Sequence, residues 1–539
     1  MAGDRNALRD ISYAYGTNHF DRDPDLAAVL GTFWRDFGAH RDELHRFGAF
    51  AGEDVYEAVY HVDHDAPPVL VTHDLDGRRV DRARLSPAER VVLKAAAHIN
   101  RPPYEGGSWH HHFALGYLMG DPGLYCVLTI TNQTVYAIHK YAPAHAAWKE
   151  EMLDGKAFGA TWMTEIQGGS DLGANVAVAH RSGDGWRLSG EKYFASGAGL
   201  ADYAIVTARP EGARAGAKGL ALFLVPRLRS SGELNFFVRR LKDKSATRAV
   251  PTGEVDLSDT EADLVGREEE GVYLTLEILN VSRLANAIGA MATAKKAHLE
   301  VLERVRRRAA FGKNLRDHPL VRRDLTDLAV RSAGGLALAF RAVDQFDRVW
   351  PERRPYSAAY HYARFLIHLA KNRTADHASA MTALGMELFG GLGFLEEYAV
   401  ARWHREALIT PIWEGPSNIQ ALDFLESVQK YHAHEPFLKD LLPRLEAAGG
   451  DAARLAKKAA EDAVRTLTTA TPAEATWHAK DAMTRIADAA AVALLYDVAR
   501  AGGPRYERLA ELYARRFLGG EDYPLWALEK EPVWDVEGP

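Results

Sequence analysis

The chain has 539 residues, a net charge of −7, 47% hydrophobic and 26% charged residues, and a single cysteine, Cys126. That length accommodates three or four domains of roughly 150 residues each, with large buried cores. The spread charge, the lone cysteine and the lack of a run of about 18 apolar residues exclude a basic nucleic-acid tract, an internal disulfide, a cysteine metal cluster and a membrane span; the opening Met1-Ala2-Gly3-Asp4-Arg5 lacks a signal peptide's apolar core, so a soluble cytoplasmic protein is expected.

Residues 1–158 read as a helical domain, periodic over 25–37 and 87–100, with 108–119 apolar enough to be buried. His110-His111-His112 sits in that last segment. Three consecutive helical positions point in three directions and cannot converge on one ion, so no metal is expected. Residues 159–270 change to short alternating runs such as Tyr203-Ala204-Ile205-Val206, at the spacing of a sandwich or barrel, with Asp184-Gly185 as a hairpin turn. Residues 271–430 return to long helices with apolar faces, over 272–310, 320–349 and 357–388. Residues 431–539 add helices near 451–466 and 476–501. The fold class is α+β and multidomain.

The glycine-rich stretches exclude dinucleotide and phosphate-loop folds. Gly390-Gly391-Leu392-Gly393 follows a helix, no G-x-G-x-x-G opens a helix after a buried strand, and no loop ends in Gly-Lys-Ser/Thr. Three other stretches carry chemistry. Met163-Thr164-Glu165-Ile166-Gln167-Gly168-Gly169-Ser170-Asp171 offers hydroxyls and glycine N–H groups, the donors that cradle an anion. Gly190-Glu191-Lys192-Tyr193-Phe194-Ala195-Ser196 puts Phe194 and Ser196 on one side of a strand, an aromatic face beside a hydroxyl. Ile412-Trp413-Glu414-Gly415-Pro416-Ser417-Asn418-Ile419-Gln420 combines a carboxylate, a tight turn and a helix start, with Gly415 as N-cap, Pro416 as first helical residue and the helix running to about Lys430. A glutamate buried beside Ile412 and Trp413 would be tuned toward a general base, and the helix N-terminus beside it suits an anion; a turn, a strand and a solvated surface carboxylate are the plainer readings of the same stretches.

Taken together, these stretches resemble the acyl-CoA dehydrogenase family over 159–430, with five motifs in the family's order. Met163-Thr164-Glu165 through Gly169-Ser170-Asp171 is similar to its first flavin signature, with Ile166-Gln167 replacing the usual proline and following residue. Lys192 to Ser196 is similar to the second, with Phe194 for tryptophan and Ser196 for threonine. Arg308-Ala309-Ala310-Phe311-Gly312 with His318, and Phe389-Gly390-Gly391-Leu392-Gly393-Phe394, are similar to elements that reach a neighbouring subunit's FAD. Trp413-Glu414-Gly415 is similar to the catalytic glutamate signature. The resemblance implies a helical domain, a middle antiparallel β domain and a helical bundle, with FAD between β domain and bundle, in a homodimer or homotetramer.

Carried over residue by residue, it implies that Met163, Thr164, Gly169, Ser170, Phe194, Ser196, Ser417 and Asn418 serve one subunit's flavin, and Arg308, Phe311, His318, Glu387, Gly390 and Gly391 the other's. Glu387 stands where glutamine is common. Arg283 matches an arginine near the substrate end of the bundle, and Ser170 also lies toward substrate; a helix-surface ion pair is the alternative for Arg283. Glu414 is implied as the base that takes the α-proton of an acyl-CoA thioester, its own N–H helping to hold the carbonyl oxygen, while the β-hydrogen leaves as hydride to FAD. Ser282 occupies the place from which some members supply their base, and serine cannot do so. An electron-transfer flavoprotein or dioxygen is the implied re-oxidant.

The Tyr15-Gly16-Thr17-Asn18-His19-Phe20 segment, the 165–171 wording, Leu241-Lys242-Asp243-Lys244 and the C-terminal extension are similar to the alkylation-response (AidB-type) branch, part of which binds DNA through a basic C-terminal domain. Here 14 Lys+Arg face 18 Asp+Glu over 431–539, a net of 14 − 18 = −4, so DNA is not the expected partner and the extension is expected to pack on the bundle or at an oligomer interface. A flavin-containing DNA-binding or damage-response protein with little dehydrogenase activity is the alternative.

Overall fold

The computed structural model describes residues 8–535; the opening Met1-Ala2-Gly3-Asp4-Arg5 lies outside the described residues. The chain divides into two compact units that interleave in sequence. One is helical and comprises Met1–Tyr56, Ser108–Gly120 and Arg283–Pro539; the other comprises Glu57–Gly107 and Asp121–Ser282 and carries the main sheet. No helix among the described residues is long and apolar enough to cross a membrane.

The sheet unit holds a hairpin, β1 (Val69–His73) and β2 (Arg79–Arg84), followed by β3 (Gly159–Trp162), β4 (Val178–Ser182), β5 (Gly185–Ser196), β6 (Tyr203–Pro210), β7 (Ala221–Pro226), β8 (Phe237–Leu241) and β9 (Thr252–Leu264). The order β6-β4-β5-β9-β7 closes on itself because β6 also pairs with β7, giving a small barrel; β3 adds to β6 and β8 to β9. Closure removes the exposed edges a sandwich would keep. Most pairings are antiparallel, while β3–β6 and β4–β6 run parallel. Leu188, Ile205, Phe223 and Val255 fill the core, and Trp186 meets the Phe223 ring edge-on at 5.3 Å.

Three local expectations shift. Ser182 pairs with Gly185, so the two-residue hairpin loop is Gly183-Asp184 and not Asp184-Gly185; the required positive φ falls on Gly183 at +59°. The stretch 25–37 is two helices, Pro24–Phe33 and Phe37–Phe50, because Trp34 turns extended (ψ 105°) and stacks its indole on His40 at 4.9 Å. Within the segment expected to be helical, β1 and β2 form a hairpin whose side chains are mostly exposed, which leaves no apolar alternation to read.

In the helical unit, Pro319–Val349, Ala358–Phe389 and Ser417–Gln429 join the C-terminal half of the 37-residue Gly271–Arg307 helix, which belongs to the sheet unit up to Ser282. Trp109–Met119 is buried along its whole length, as expected. His110 faces Asp344 and Asp347, His111 faces Glu43, and His112 lies edge-on to Trp109, so the three rings do diverge. The extension folds as His434–Ala448, Gly450–Thr469, Pro472–Gly502 and Arg505–Tyr513. It packs on the bundle: Arg373 donates to both oxygens of buried Asp488 (2.6 and 3.0 Å), Tyr513 donates to Asp488 (2.7 Å), and His377 lies 2.8 Å from the Tyr513 hydroxyl.

Candidate active site

Glu414 occupies a left-handed backbone conformation (φ +59°) and Gly415 follows at φ +98°. Two successive positive φ values make a turn that must finish before a helix can begin. The helix therefore opens at Ser417 with Pro416 (ψ 162°) as the cap, one residue later than the Gly415 N-cap expected from sequence. A non-glycine residue held there costs on the order of 1 kcal/mol or more and persists only where its surroundings fix it.

The surroundings grip the backbone carbonyls. Arg283 Nε (3.3 Å) and Gln420 Nε2 (2.8 Å) donate to the Glu414 carbonyl, and Lys371 Nζ (2.8 Å) and Gln420 Nε2 (3.2 Å) donate to that of Gly415. Gln420 is set in turn by His368, whose Nδ1 lies 2.9 Å from its Oε1, and the Trp413 indole N–H donates to Asn286. Arg283 also pairs with Asp423 at 2.9 Å. Burial opposes the charge of Asp423, yet Arg283 keeps its carboxyl below the usual carboxylate range. Burial pushes the His368 imidazole down to about 3, with Arg283 adding to it, so this ring is neutral. Burial pushes the Lys371 ammonium down to about 8 against the opposing charge of Glu414.

Glu414 itself is half-buried, between the buried glutamate and the solvated carboxylate that the sequence allowed, and Ile412 beside it is 59% exposed. Ser417 and Asn418 stand in the first turn of the following helix. Lys371, Gln420 and Asn286 were not singled out from sequence. Lys371 had one signal, an ammonium directly following the largely apolar run Phe365-Leu366-Ile367-His368-Leu369-Ala370; Gln420 looked like an ordinary helical residue.

In the sheet unit a buried ion pair shapes the first signature. Lys192 Nζ lies 2.7 Å from Glu165 Oε1, neither side chain more than 2% exposed, and Glu165 also accepts the N–H of Val176 at 2.7 Å. Burial lowers the Lys192 pKa, and Glu165 works against that. Asn175 Nδ2 holds the Met163 carbonyl (2.6 Å), and Tyr193 N–H holds that of Thr164 (3.0 Å). The loop and β5 are thus one rigid piece that presents Thr164, Gly169, Ser170, Phe194 and Ser196, while the Met163 side chain is buried. Phe194 is 57% exposed beside a bulge in β5, and Ser196 Oγ lies 3.2 Å from Thr252 Oγ1. Lys242 sits 4.9 Å from the Phe194 ring.

The remaining sequence candidates lie elsewhere on the helical unit. Arg308, Phe311, Glu387, Gly390 and Gly391 are exposed, Phe311 almost fully at the tip of a tight hairpin with φ +51°. His318 Nε2 lies 3.0 Å from the Ala310 carbonyl and steadies that hairpin. A Cβ at Gly390 or Gly391 would meet nothing within 4 Å, so backbone is open there.

Comparison with known proteins matches residues 160–260 to the acyl-CoA dehydrogenase middle domain, 269–429 to the acyl-CoA dehydrogenase C-terminal domain and 12–156 to the adaptive response protein AidB N-terminal domain. AidB of Escherichia coli (strain K12) is 31% identical over 391 residues, covering 68% of this chain and 70% of AidB. ACDH-11 of Caenorhabditis elegans, solved in complex with C11-CoA, superposes with a TM-score of 0.82 at 24% identity, covering 99% of this chain and 94% of that one. An acyl-CoA dehydrogenase of Bacillus anthracis complexed with FAD gives 0.70 at 18% identity, over 80% and 81%. The helical domains, the β barrel between them in sequence and the three domain matches agree: the chain belongs to the acyl-CoA dehydrogenase family of flavoprotein oxidoreductases, with an AidB-type N-terminal region.

Proposed function

We propose that this protein is an FAD-dependent acyl-CoA dehydrogenase that converts an acyl-CoA thioester to the trans-2-enoyl-CoA, with Glu414 as the base. The observation that carries this reading is the Glu414 turn, a carboxylate on a left-handed backbone whose own carbonyl and the next are fixed by Arg283, Gln420 and Lys371. Such a turn fixes where the carboxylate starts from, and a positioned base is what removal of an α-proton requires.

The donor set fits a flavin. Thr164 and Ser196 offer hydroxyls, Phe194 an exposed aromatic face, and Gly169 an open loop N–H; Met163 would shape the loop from within, with Ser170 toward substrate. Ser417 and Asn418 would supply the helix N-terminus for the same cofactor. Bound FAD supplies the two-electron acceptor for the β-hydrogen. Glu414 takes the α-proton as charge develops on the thioester oxygen, and its backbone N–H would face that oxygen. Arg308, Phe311, His318, Glu387, Gly390 and Gly391 would reach a second subunit's FAD, which makes a homodimer or homotetramer part of the proposal. An electron-transfer flavoprotein or dioxygen would re-oxidise the cofactor.

DNA binding receives no support from the extension. Its net charge is −4, and Arg444, Arg454, Lys457, Lys458, Arg465, Arg505 and Arg515 are each engaged by a carboxylate. The deciding experiment is anaerobic mixing of purified protein with acyl-CoAs of graded length and branching while flavin absorbance is followed. Bleaching by at least one thioester is expected. A colourless protein that takes up no FAD, or one bleached by none of the panel while binding duplex DNA tighter than about 10⁻⁶ M at physiological salt, would transfer the assignment to the DNA-binding alternative.

A further inference from the structure

The histidine triplet contributes one member to a cluster that no sequence spacing revealed. His40 and Glu43 are three apart on the Phe37–Phe50 helix and therefore share a face. His111, from the Trp109–Met119 helix, meets that face: its Nε2 lies 3.0 Å from Glu43 Oε2, and His40 Nδ1 lies 3.4 Å from the same oxygen. One ligand atom from each of the three falls within 4.8 Å of the others. Both helices belong to the helical unit.

Three features point to a bound cation. His111 is 8% exposed, and its Nε2 makes no hydrogen bond although it lies 3.0 Å from the Glu43 carboxylate. The spacings of 3.0 and 3.4 Å match the edges of a tetrahedron with metal–ligand bonds of about 2.0–2.1 Å, which are roughly 3.3 Å long. Trp34 stacks on both rings, at 4.9 Å and 15° for His40 and 5.3 Å and 30° for His111, which fixes the imidazole planes.

We propose that His40, Glu43 and His111 form a zinc-class divalent-metal site that fastens the Phe37–Phe50 helix to the Trp109–Met119 helix. Two imidazoles and one carboxylate are a borderline donor set that suits Zn²⁺ over Mg²⁺ or Ca²⁺. The side chains of His40 and Glu43 are about one-third exposed, at 34% and 32%, so water reaches the fourth position.

The test uses untagged full-length protein with its flavin, stripped with a chelator and titrated with Zn²⁺ and with Co²⁺. One equivalent per chain is expected, with the visible bands of four-coordinate Co²⁺ and a rise in Tm on Zn²⁺ addition. His40→Gln and His111→Gln should each weaken Zn²⁺ binding by at least about tenfold, the loss seen even for residues that only support a ligand. His45→Gln, an exposed histidine of the same helix, should bind as the wild type does. Because His40 is partly exposed, its variant stays informative if His111→Gln fails to fold. Absence of stoichiometric Zn²⁺, or wild-type affinity in His40→Gln, would overturn the site.

Discussion

Glu414 and Asp488 are both carboxylates held in the helical unit, and they are held in opposite ways. Asp488 is buried and its oxygens are taken up by Arg373 and Tyr513; burial raises its pKa and Arg373 works against that. At Glu414 the grip falls on the peptide carbonyls of residues 414 and 415, and the residue is half-buried. A carboxylate that serves as structure has its oxygens bound by permanent partners. In the role proposed for Glu414, the grip on the main chain sets where the base starts from.

The largest break in this comparison is Glu414→Gln. The turn and helix should survive, with flavin bound, while stopped-flow flavin reduction falls by about 10²–10⁴-fold or more. A rate within about tenfold of wild type would assign the base elsewhere. Asp488→Asn should do the reverse: leaving Arg373 buried with only the more exposed Asp376, 3.9 Å away, as counter-charge costs about 3–5 kcal/mol in urea unfolding, with flavin reduction per folded molecule unchanged.

Lys371 sharpens the contrast through pH. Its folded pKa of about 8 lies below its ordinary 10.5. Between those values the unfolded chain binds more protons, so this group makes stability rise with pH; below about 8 the fold bears the full cost of the buried ammonium. Relative to Lys371→Met, wild type should gain about 3 kcal/mol between pH 8 and 10.5. Equal pH profiles for the two proteins would mean that the ammonium is not desolvated. Gly415→Ala is the smallest change: at φ +98° its Cβ meets Gln420 Nε2 at 2.6 Å, so about 1–3 kcal/mol of strain is expected, with slower flavin reduction and unaltered flavin content. Unchanged unfolding and unchanged kinetics would show that the turn tolerates a side chain.

Much of the Glu414 turn was legible because its signals are local: a glycine–proline pair, then a helical apolar pattern. What grips it was not. Lys371 is 44 residues away on another helix, and no pattern along the chain records that its ammonium meets the Gly415 carbonyl. The barrel was legible from alternation and turn spacing, whereas β1 and β2, largely exposed, had no burial to advertise. The Lys192–Glu165 pair was hidden differently: both residues lay inside stretches read for their hydroxyls and glycines, and the pair that braces those stretches was passed over. The histidine triplet was read along one helix, where it diverges, and its partner helix could not be inferred from spacing.

The interleaving of the units also bears on how the chain is made. Asp25 receives Arg505 at 2.5 Å and Tyr506 at 3.0 Å, and Ser12 reaches mid-chain Glu300 at 2.5 Å, so segments translated first are completed by segments translated much later. With 480 residues between Asp25 and Arg505 and synthesis at about 5–20 residues per second, the N-terminal helices wait on the order of a minute for their counter-charge. Asp23, Asp25 and the apolar face of Leu26, Val29 and Leu30 are all buried in the finished fold. Until the C-terminal segment arrives, these groups lack partners that they have in the finished fold.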